Sequence, residues 1–395
     1  MNKKRVLIIL LSLAILLVLA GIIVLIMTNI GKNDDTVSTD TSIDIASPED
    51  VPKITVTTET TTEETTTEVL TTTEQGAAAS ETDAVSGGQA FEFRERTLSD
   101  DTEAPIFLWC PSSVTIEQGK GFTLWDYIGY ADDVDRDLDL ETEGSVDSYT
   151  VGSYPLHLTI TDDTGKRAEA DMTVEVVEEI PASDDSDYRE SFSDFAANYG
   201  GEDVSLGIDV SRWQEDIDYE AVKAAGCEFV IIRLGGYDDG ELYTDSYYHN
   251  NIQNAKAAGL KVGIYWHAEE SSVEEVQNSV DYIMQVLDGE TLDFPIAYDW
   301  EDFIGFQYYG MNLYDVNACF EAFCDAVEAE GYKACNYGSK SHLINAWTND
   351  EAHPIWLAHY TDETDYAGDY YMWQHSCWGD VPGIDGYVDL DILYK

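Results

Sequence analysis

The sequence predicts an α/β protein: an irregular (β/α) barrel preceded by a separate small all-β sandwich and an N-terminal transmembrane helix. From Val204 onward, apolar runs of strand length alternate with segments of helical periodicity. Residues 102–179 instead contain short alternating strands broken by turns. The third observation is an apolar run from Val6 to Met27, 22 residues without a charge.

The composition limits the class of partner. The 395 residues leave room for two or three domains, and a hydrophobic content of 44% is enough for real cores. The formal net charge is −58, from 78 acidic and 20 basic residues. Phosphate binding relies on Lys and Arg, so nucleic acid is excluded as an expected partner.

The N-terminal segment, residues 1–30, predicts a membrane anchor. As a helix, the apolar run spans about 33 Å, which matches the hydrocarbon core of a bilayer. Lys3, Lys4 and Arg5 precede it and place the N-terminus in the cytoplasm, so the rest of the chain lies outside the cell membrane. The alternative is a cleaved signal peptide and a secreted protein, but the small pair Ala20-Gly21 lies inside the apolar run.

Residues 31–101 predict a disordered tether. They are rich in Thr, Glu, Ser and Asp, with TVTTETTTEETTTEVLTTTE at the centre, and cannot bury a core. A flexible coil of about seventy residues has a root-mean-square span of about 45 to 50 Å. The segment is therefore long enough to hold the following domains away from the membrane.

Residues 102–179 predict the sandwich. The strand-like runs are SVTIE, GFTL, YPLHLTITD and ADMTVEVVE, with TDDTGK as a hairpin-like turn. The segments APIFLWCPSSVTIEQGKGF, YADDVDRDLDL and VGSYPLHLTITDDTGKRAEADMTVEVV resemble the bacterial immunoglobulin-like domains of surface proteins. That resemblance implies a spacer.

One acidic run inside the sandwich has the alternation of a calcium loop: Asp133, Asp135, Asp137 and Asp139. Leu138 stands where such a loop needs its turn Gly, and Gly144 stands where it needs a bidentate Glu. A solvated acidic turn is therefore the favoured interpretation, and no metal site is predicted.

Residues 180–202 predict an acidic linker, and residues 203–395 the barrel. We expect strands near residues 204–210, 228–234, 261–267, 294–299, 333–337, 354–360, 370–375 and 387–392. We expect helices at residues 218–225, 245–258, 272–287, 312–330 and 340–347. The last two connections are too short and turn-rich for helical crossovers, so the final strands are expected to form hairpins. No glycine-rich nucleotide-binding loop opens any helix.

Four acids fall where predicted strands of the barrel end: Asp209, Asp299, Glu301 and Asp389. Parallel strands bring such positions to one rim. Residues two apart on a strand share a face at about 7 Å, so the carboxylates of Asp299 and Glu301 should repel and one should hold a proton. Such a pair suits acid/base cleavage of an acetal. Taken alone, the D-x-E pattern also fits two solvated carboxylates.

Aromatic residues accumulate at the same strand ends and favour a sugar-binding groove, because sugar rings stack on aromatic faces. Each of them singly is more often a packing residue. They are Trp213, Tyr265, Trp266, Tyr298, Trp300, Tyr337, Trp356, Tyr360 and Trp373.

The motifs GIDVSRWQ, FVIIR, KVGIYWHA, PIAYDWED, IWLAHY and MWQHSCWGDVPGIDGYVDLDIL resemble, in order, the glycoside hydrolase family 25 muramidases, the lysozymes of the Chalaropsis type. The resemblance covers residues 204–395. It implies a β/α barrel with irregular final strands and hydrolysis of peptidoglycan glycan strands outside the membrane. No cofactor and no metal are implied, and we expect a monomer.

The resemblance assigns roles to individual residues. Glu301 matches the general acid, and Asp299 matches the residue that orients the substrate's acetamido group or stabilises positive charge. Asp209 and Asp389 match the remaining acids of the pocket. Attack by the acetamido oxygen and inversion by water both remain open. The implied substrate-binding residues are Tyr265, Trp266, Tyr298, Tyr337, Trp356, Tyr360, Trp373 and Gln374.

Two departures from the family pattern concern the groove. Trp266 and His267 stand in a segment that is commonly Tyr-His-Phe, and Asp391 stands where Asn is usual. His267 and His375 could suggest zinc, but a third ligand at recognisable spacing is missing, so a groove-lining role is expected. The redox state of the six cysteines is left open. The alternative function is a catalytically idle peptidoglycan-binding surface protein.

Overall fold

The computed structural model describes residues 101–180, 189–238, 240–349 and 352–395. The predicted transmembrane run of residues 6–27 and the predicted tether up to residue 100 lie outside the described residues. Within the described ranges, no helix is both long enough and apolar enough to cross a membrane.

Residues 101–177 form the sandwich domain. Its strands are β1 (Ile106–Trp109), β2 (Ser113–Glu117), β3 (Gly129–Ala131), β4 (Asp139–Glu143), β5 (Gly152–Thr161) and β6 (Arg167–Val177). Strands β1 and β3 pair antiparallel, and the other four are ordered β2-β6-β5-β4. Alternate residues of these strands, among them Leu158 and Val174, are fully buried between the sheets. The predicted all-β class of this domain is confirmed.

Two local expectations for the sandwich domain fail. The run GFTL is not a strand, because Leu124–Asp126 turn into a short 3-10 helix instead. The acidic turn is solvated only in part, since Asp137 and Asp139 are exposed but Asp135 is 8% exposed. The folding of the loop turns Asp135 inward.

The predicted acidic linker is not a linker throughout. Its end contains strand β7 (Glu190–Ser191) and helix α1 (Phe192–Tyr199). Phe192 and Phe195 are buried in the same core as the barrel strands, and β7 pairs with Gly379 and Asp380. The acidic composition of this segment favoured a linker, although its end contains a short amphipathic helix. The described part of the barrel domain therefore begins at residue 189.

The barrel strands match the predicted positions closely, with β10 as an added hairpin strand. They are β8 (Val204–Val210), β9 (Phe229–Asp238), β10 (Glu241–Thr244), β11 (Lys261–Ala268), β12 (Ile296–Trp300), β13 (Ala334–Ser339), β14 (Ile355–Ala358), β15 (Met372–Asp380) and β16 (Val388–Tyr394). The helices are α2 (Tyr219–Ala224), α3 (Tyr248–Ala257), α4 (Val273–Leu287), α5 (Leu313–Ala329) and α6 (Lys340–Asn345).

Eight strands close the barrel in the order β8-β9-β11-β12-β13-β14-β15-β16, with β16 returning to β8. Neighbours are parallel from β8 through β15, and β16 is antiparallel to both of its neighbours. The expected hairpin between β14 and β15 is therefore wrong. Strand β14 has 4 residues and spans only about 13 Å, so residues 359–371 can return without a helix.

The barrel domain has an inner and an outer core. The outer core lies between strands and helices, and the inner core fills the barrel with side chains that include Phe229, Ile231 and Trp356. Gly207 permits this filling, because a Cβ atom there would lie 2.4 Å from the Phe229 ring. All six cysteines are free thiols.

The sandwich domain contacts the segment that follows β12. The backbone N–H of Gly305 donates to the Ile128 carbonyl at 3.0 Å, and that of Leu313 donates to the Asp132 carbonyl at 2.8 Å. The Gly129 Cα faces the Phe303 carbonyl so closely that an added Cβ would lie 1.6 Å from that oxygen. This seam therefore requires a glycine at residue 129.

Candidate active site

The four predicted acids meet at one end of the barrel. Asp389 on β16 lies directly opposite Asp209 on β8 in the strand register, as expected if the first and last strands close the barrel. Asp299, the last residue but one of β12, lies beside His267 of β11, and Glu301 follows directly after the strand. The charges of Asp209 and Glu301 both raise the pKa of Asp299 and that of Asp389, so the carboxyl groups share one site.

Asp299 and Glu301 form the chemically most distinctive pair. Each carboxyl group acts on the pKa of the other, so the two side chains interact directly. Glu301 lies directly after Trp300, the last residue of β12, so strand geometry does not set the spacing of this pair.

The environment raises the proton affinity of both members of this pair. Burial, followed by the charges of Glu301 and Asp209, raises the pKa of Asp299 well above its usual value. Desolvation in the groove and the charge of Asp209 raise the pKa of Glu301 to about 7, although its hydrogen bond to Asp299 acts in the opposite direction. Asp299 is 7% exposed, whereas the Glu301 side chain is open to solvent. Glu301 is therefore the member that a bound sugar can reach.

A tyrosine–glutamine network orients Asp209. The Gln374 amide donates to Asp209 Oδ2 at 2.8 Å, and its Oε1 accepts the hydroxyls of Tyr337 at 2.8 Å and Tyr360 at 2.9 Å. The two hydroxyl donors fix which end of the amide faces Asp209. Burial raises the pKa of Asp209 to about 6, with the Gln374 hydrogen bond opposing that rise.

Asp391 joins the cluster beneath Asp209. Its Oδ1 accepts the indole N–H of Trp356 at 2.9 Å, and its pKa is raised well above the usual range by burial and then by the charges of Asp209 and Asp389. Asp391 is fully buried, and this burial favours its protonated form.

Arg233 is a charged residue of the site that sequence reasoning missed. It lies on β9, donates through Nε to Asp245 Oδ2 at 2.8 Å, and lowers the pKa values of both Asp209 and Asp299. The FVIIR pattern could have predicted it. Arg233 lies two residues after the inward-facing Ile231 on the same strand, so both side chains share the inner face.

The predicted aromatic residues divide between the two faces of the barrel wall. Tyr265, Tyr337 and Tyr360 lie near the acids, and the neighbouring acidic charges raise their pKa values after burial does so. Trp356 is 2% exposed and meets the Tyr337 ring edge-on at 4.6 Å. It therefore forms the floor below the groove rather than a stacking platform.

Three other predicted substrate contacts, Trp266, Tyr298 and Trp373, point away from the groove. Strand alternation directs them outward, since their neighbours in sequence face the acids. The Trp266 indole donates to Glu270 Oε1 at 2.8 Å, and the Tyr298 hydroxyl donates to Glu270 Oε2 at 3.3 Å. Trp373 donates to the His359 carbonyl at 2.8 Å. These are packing residues, and Glu270 is the buried acceptor that sequence reasoning missed.

The two histidines also lie on opposite faces. His267 faces the barrel interior, where burial lowers its pKa to about 4. His375 faces outward and pairs through Nε2 with Glu190 at 2.9 Å, so the expected groove-lining role is wrong for this residue. The two rings cannot share one zinc ion.

A closed barrel with hydrogen-bonded carboxyl groups at the strand ends defines an acid site of the glycosidase class. Residues 208–384 match the model of glycosyl hydrolases family 25, and residues 107–176 match that of the bacterial surface protein Ig-like domain. The uncharacterized protein YegX of Escherichia coli strain K12 is 30% identical over 198 residues, which are 47% of this chain and 68% of that protein. The chain belongs to glycosyl hydrolases family 25 through its barrel domain.

Two further relatives extend the comparison. The autolytic lysozyme of Clostridium acetobutylicum is 29% identical over 189 residues, which are 47% of this chain. The chain spans 54% of the length of that relative. The bacterial lysozyme structure from Streptomyces coelicolor is 26% identical, covers 47% of this chain and 90% of its own, and superposes with a TM-score of 0.40.

Proposed function

We propose that this protein is a muramidase that hydrolyses the β-1,4 bond between N-acetylmuramic acid and N-acetylglucosamine in peptidoglycan. The observation that carries the proposal is the pair of Asp299 and Glu301, whose pKa values are both raised by burial, at one end of a family 25 barrel. A glycosidase needs a carboxylic acid that is still protonated near neutral pH and can reach the leaving oxygen. The name of the autolytic lysozyme relative agrees with this activity.

Glu301 is the proton donor in this mechanism. Its proton passes to the glycosidic oxygen as the bond to the anomeric carbon breaks, and positive charge develops on the sugar. Asp209, held by Gln374, is the carboxylate placed to stabilise that charge. As Glu301 loses its proton to the leaving group, Asp299 remains hydrogen-bonded to it and limits the accumulation of negative charge.

Acetamido participation is the second part of the mechanism. Participation of the substrate's own acetamido group makes a separate enzyme nucleophile unnecessary, which suits a site in which Asp299 and Glu301 act directly on each other's pKa. The oxygen of the substrate's 2-acetamido group can instead attack the anomeric carbon, with Asp299 accepting its N–H. Water then opens the cyclic intermediate.

The predicted membrane anchor would place this activity next to the cell wall. The apolar run of residues 6–27 would anchor the chain in the cell membrane with the barrel outside, next to the wall. If the run is cleaved, the same barrel is secreted. Fractionation of cells that express the full chain distinguishes the two: we expect intact protein in the membrane fraction.

The activity is tested by mass spectrometry of cell-wall digests. We expect new reducing ends on muramic acid with the full chain, and loss of at least about 100-fold of the rate in Glu301→Gln. Glu328→Gln, on the surface of α5, is the matched control and should retain the wild-type rate. Binding to wall without any product, or reducing ends on glucosamine, would contradict the proposal; the first result would favour an idle binding protein.

A further inference from the structure

Five aspartates of the sandwich domain converge from three separate segments: Asp101 before β1, Asp132, Asp133 and Asp135 after β3, and Asp162 in the β5–β6 turn. One carboxylate oxygen from each of Asp101, Asp132 and Asp133 lies within 4.8 Å of the others, and the same holds for Asp101, Asp135 and Asp162. Asp101 belongs to both groups. The two groups therefore adjoin each other at Asp101.

Two of these carboxylates are buried and carry an oxygen without a partner. Asp132 is 1% exposed; its Oδ1 accepts the N–H groups of Val134 and Asp135, each at 2.8 Å, while Oδ2 receives no hydrogen bond within the described part of the chain. The Asp101 side chain is 0% exposed, and its Oδ2 likewise receives none. A buried, unpartnered carboxylate oxygen is unfavourable, so this arrangement points to a cationic ligand.

Lys166 satisfies only one edge of the cluster. Its ammonium group lies 2.6 Å from Asp101 Oδ1 and 3.3 Å from Asp162 Oδ2. Asp162 Oδ1 also accepts the N–H groups of Thr164 and Lys166. A single ammonium charge on this edge cannot neutralise the facing carboxylates of Asp101 and Asp132, whose second oxygens remain open.

We propose that this aspartate cluster is a divalent-cation site that binds Ca²⁺. The donors are oxygens alone, which suit a hard cation and not zinc or copper. Ca²⁺ accepts irregular sets of 6 to 8 oxygen ligands, whereas Mg²⁺ requires a near-ideal octahedron. The site differs from a consecutive calcium loop, because the exposed Asp137 and Asp139 lie outside it and the turn that bears Asp162 contributes.

The position of the cluster links the cation to the barrel domain. The loop of residues 132–136 that supplies three of the carboxylates also holds the start of α5. The Asn312 amide donates to the Val134 carbonyl at 2.6 Å, and Arg136 forms two hydrogen bonds to Asp315, at 2.6 and 2.8 Å. Residues 302–312 connect Glu301 to that helix, so the cation would fix the seam on which this connection rests. The inference itself does not depend on the proposed enzymatic activity.

Calcium binding to the full chain tests the site directly. Equilibrium dialysis with Ca²⁺ should give one more bound equivalent in the wild type than in Asp132→Asn, which removes a ligand charge with little change in shape. Asp137→Asn, on the same loop but outside the cluster, is the matched control and should bind like the wild type. This difference corrects for weak binding by the many other acidic residues.

Thermal unfolding provides the second measurement. Replacing a chelator by millimolar Ca²⁺ should raise the Tm of the wild type and of Asp137→Asn by about 5 °C, and should leave Asp132→Asn unchanged. Asp101→Asn repeats the test if Asp132→Asn fails to fold, as judged by circular dichroism. Equal Ca²⁺ binding by wild type and the folded Asn variant would overturn the site, and tighter binding of Mg²⁺ would overturn its assignment to calcium.

Discussion

At the scale of single residues, the site depends on which carboxyl groups keep a proton. Glu301 and Asp209 have raised pKa values of about 7 and about 6, and both values arise mainly from removal of water. Asp391 is buried more deeply and keeps its proton. Acids of the same type in the sequence thus differ in their surroundings, in line with the proposed roles of Glu301 as donor and Asp209 as charge-stabilising group.

The pH dependence of catalysis follows from these values. Because Glu301 must be protonated, kcat/KM should fall as the pH rises through about 7. Because Asp209 must be ionised, kcat/KM should also fall as the pH drops through about 6. We expect a bell-shaped profile with its maximum between these values. In Asp209→Asn, the acidic limb should disappear from the residual activity. An acidic limb that is unchanged in this variant would exclude Asp209 as its origin.

Substitution of Asp391 tests the proton assignment. Because burial favours the neutral form of Asp391, Asp391→Asn should keep the activity within about 3-fold and should not lower the Tm at pH 7. Asp391→Ala removes the acceptor of the Trp356 indole at 2.9 Å and should lower the Tm. Activity assays and thermal unfolding of both variants check this. Severe loss of activity in the Asn variant would show that the charged form is needed.

At the scale of secondary-structure elements, helix α1 is the part of the barrel domain that composition concealed. Phe195 is fully buried, and its ring stacks against His375 of β15 at 5.7 Å. Glu190 of β7 pairs with the Nε2 atom of that same histidine at 2.9 Å. The strap of β7 and α1 therefore covers the outer face of β15, whose inner face presents Gln374.

Removal of the Phe195 ring measures how much this strap contributes. Phe195→Ala should lower the stability of the barrel domain by about 3 to 5 kcal/mol, because the cavity is enclosed by α1, β8 and β15. Denaturant unfolding followed by tryptophan fluorescence gives the value. Asn198→Ala, on the exposed face of the same helix, is the control and should change stability by less than about 0.5 kcal/mol. Equal effects of the two changes would mean that the strap does not support the fold.

At the scale of the whole molecule, the described residues include two clusters of carboxyl groups that the structure separates. One cluster of carboxyl groups closes the mouth of the barrel, and the other lies in the sandwich domain beside the start of α5. Both gather acids that are distant in sequence, and both include buried carboxyl groups such as Asp299 and Asp132. In the groove, raised pKa values favour protonation, which relieves the repulsion between the carboxyl groups. In the sandwich domain, we propose that a bound cation does so.

The raised pKa values in the groove predict an unusual pH dependence of the unfolding free energy. A carboxyl group whose folded-state pKa is raised binds more protons in the folded than in the unfolded state, so unfolding free energy falls as the pH rises. For Asp209 the fall spans pH values from about 4 to about 6, and for such a buried group it is on the order of 1 to 3 kcal/mol. Denaturant titrations across this range should show it. The slope should flatten in Asp209→Asn, and an unchanged slope would contradict the assignment.

The sequence by itself determined the order of elements, the barrel class, the sandwich and the identity of the acids at the strand ends. These features are local: apolar periodicity sets strands and helices, and strand ends in a parallel sheet share a rim. Only the tertiary structure decided the direction of β15, the face on which Trp266, Tyr298 and Trp373 lie, and the contact between Asp299 and Glu301. The physical reason is that closure of the barrel and desolvation depend on residues far apart in the chain, and local patterns carry no information about such contacts.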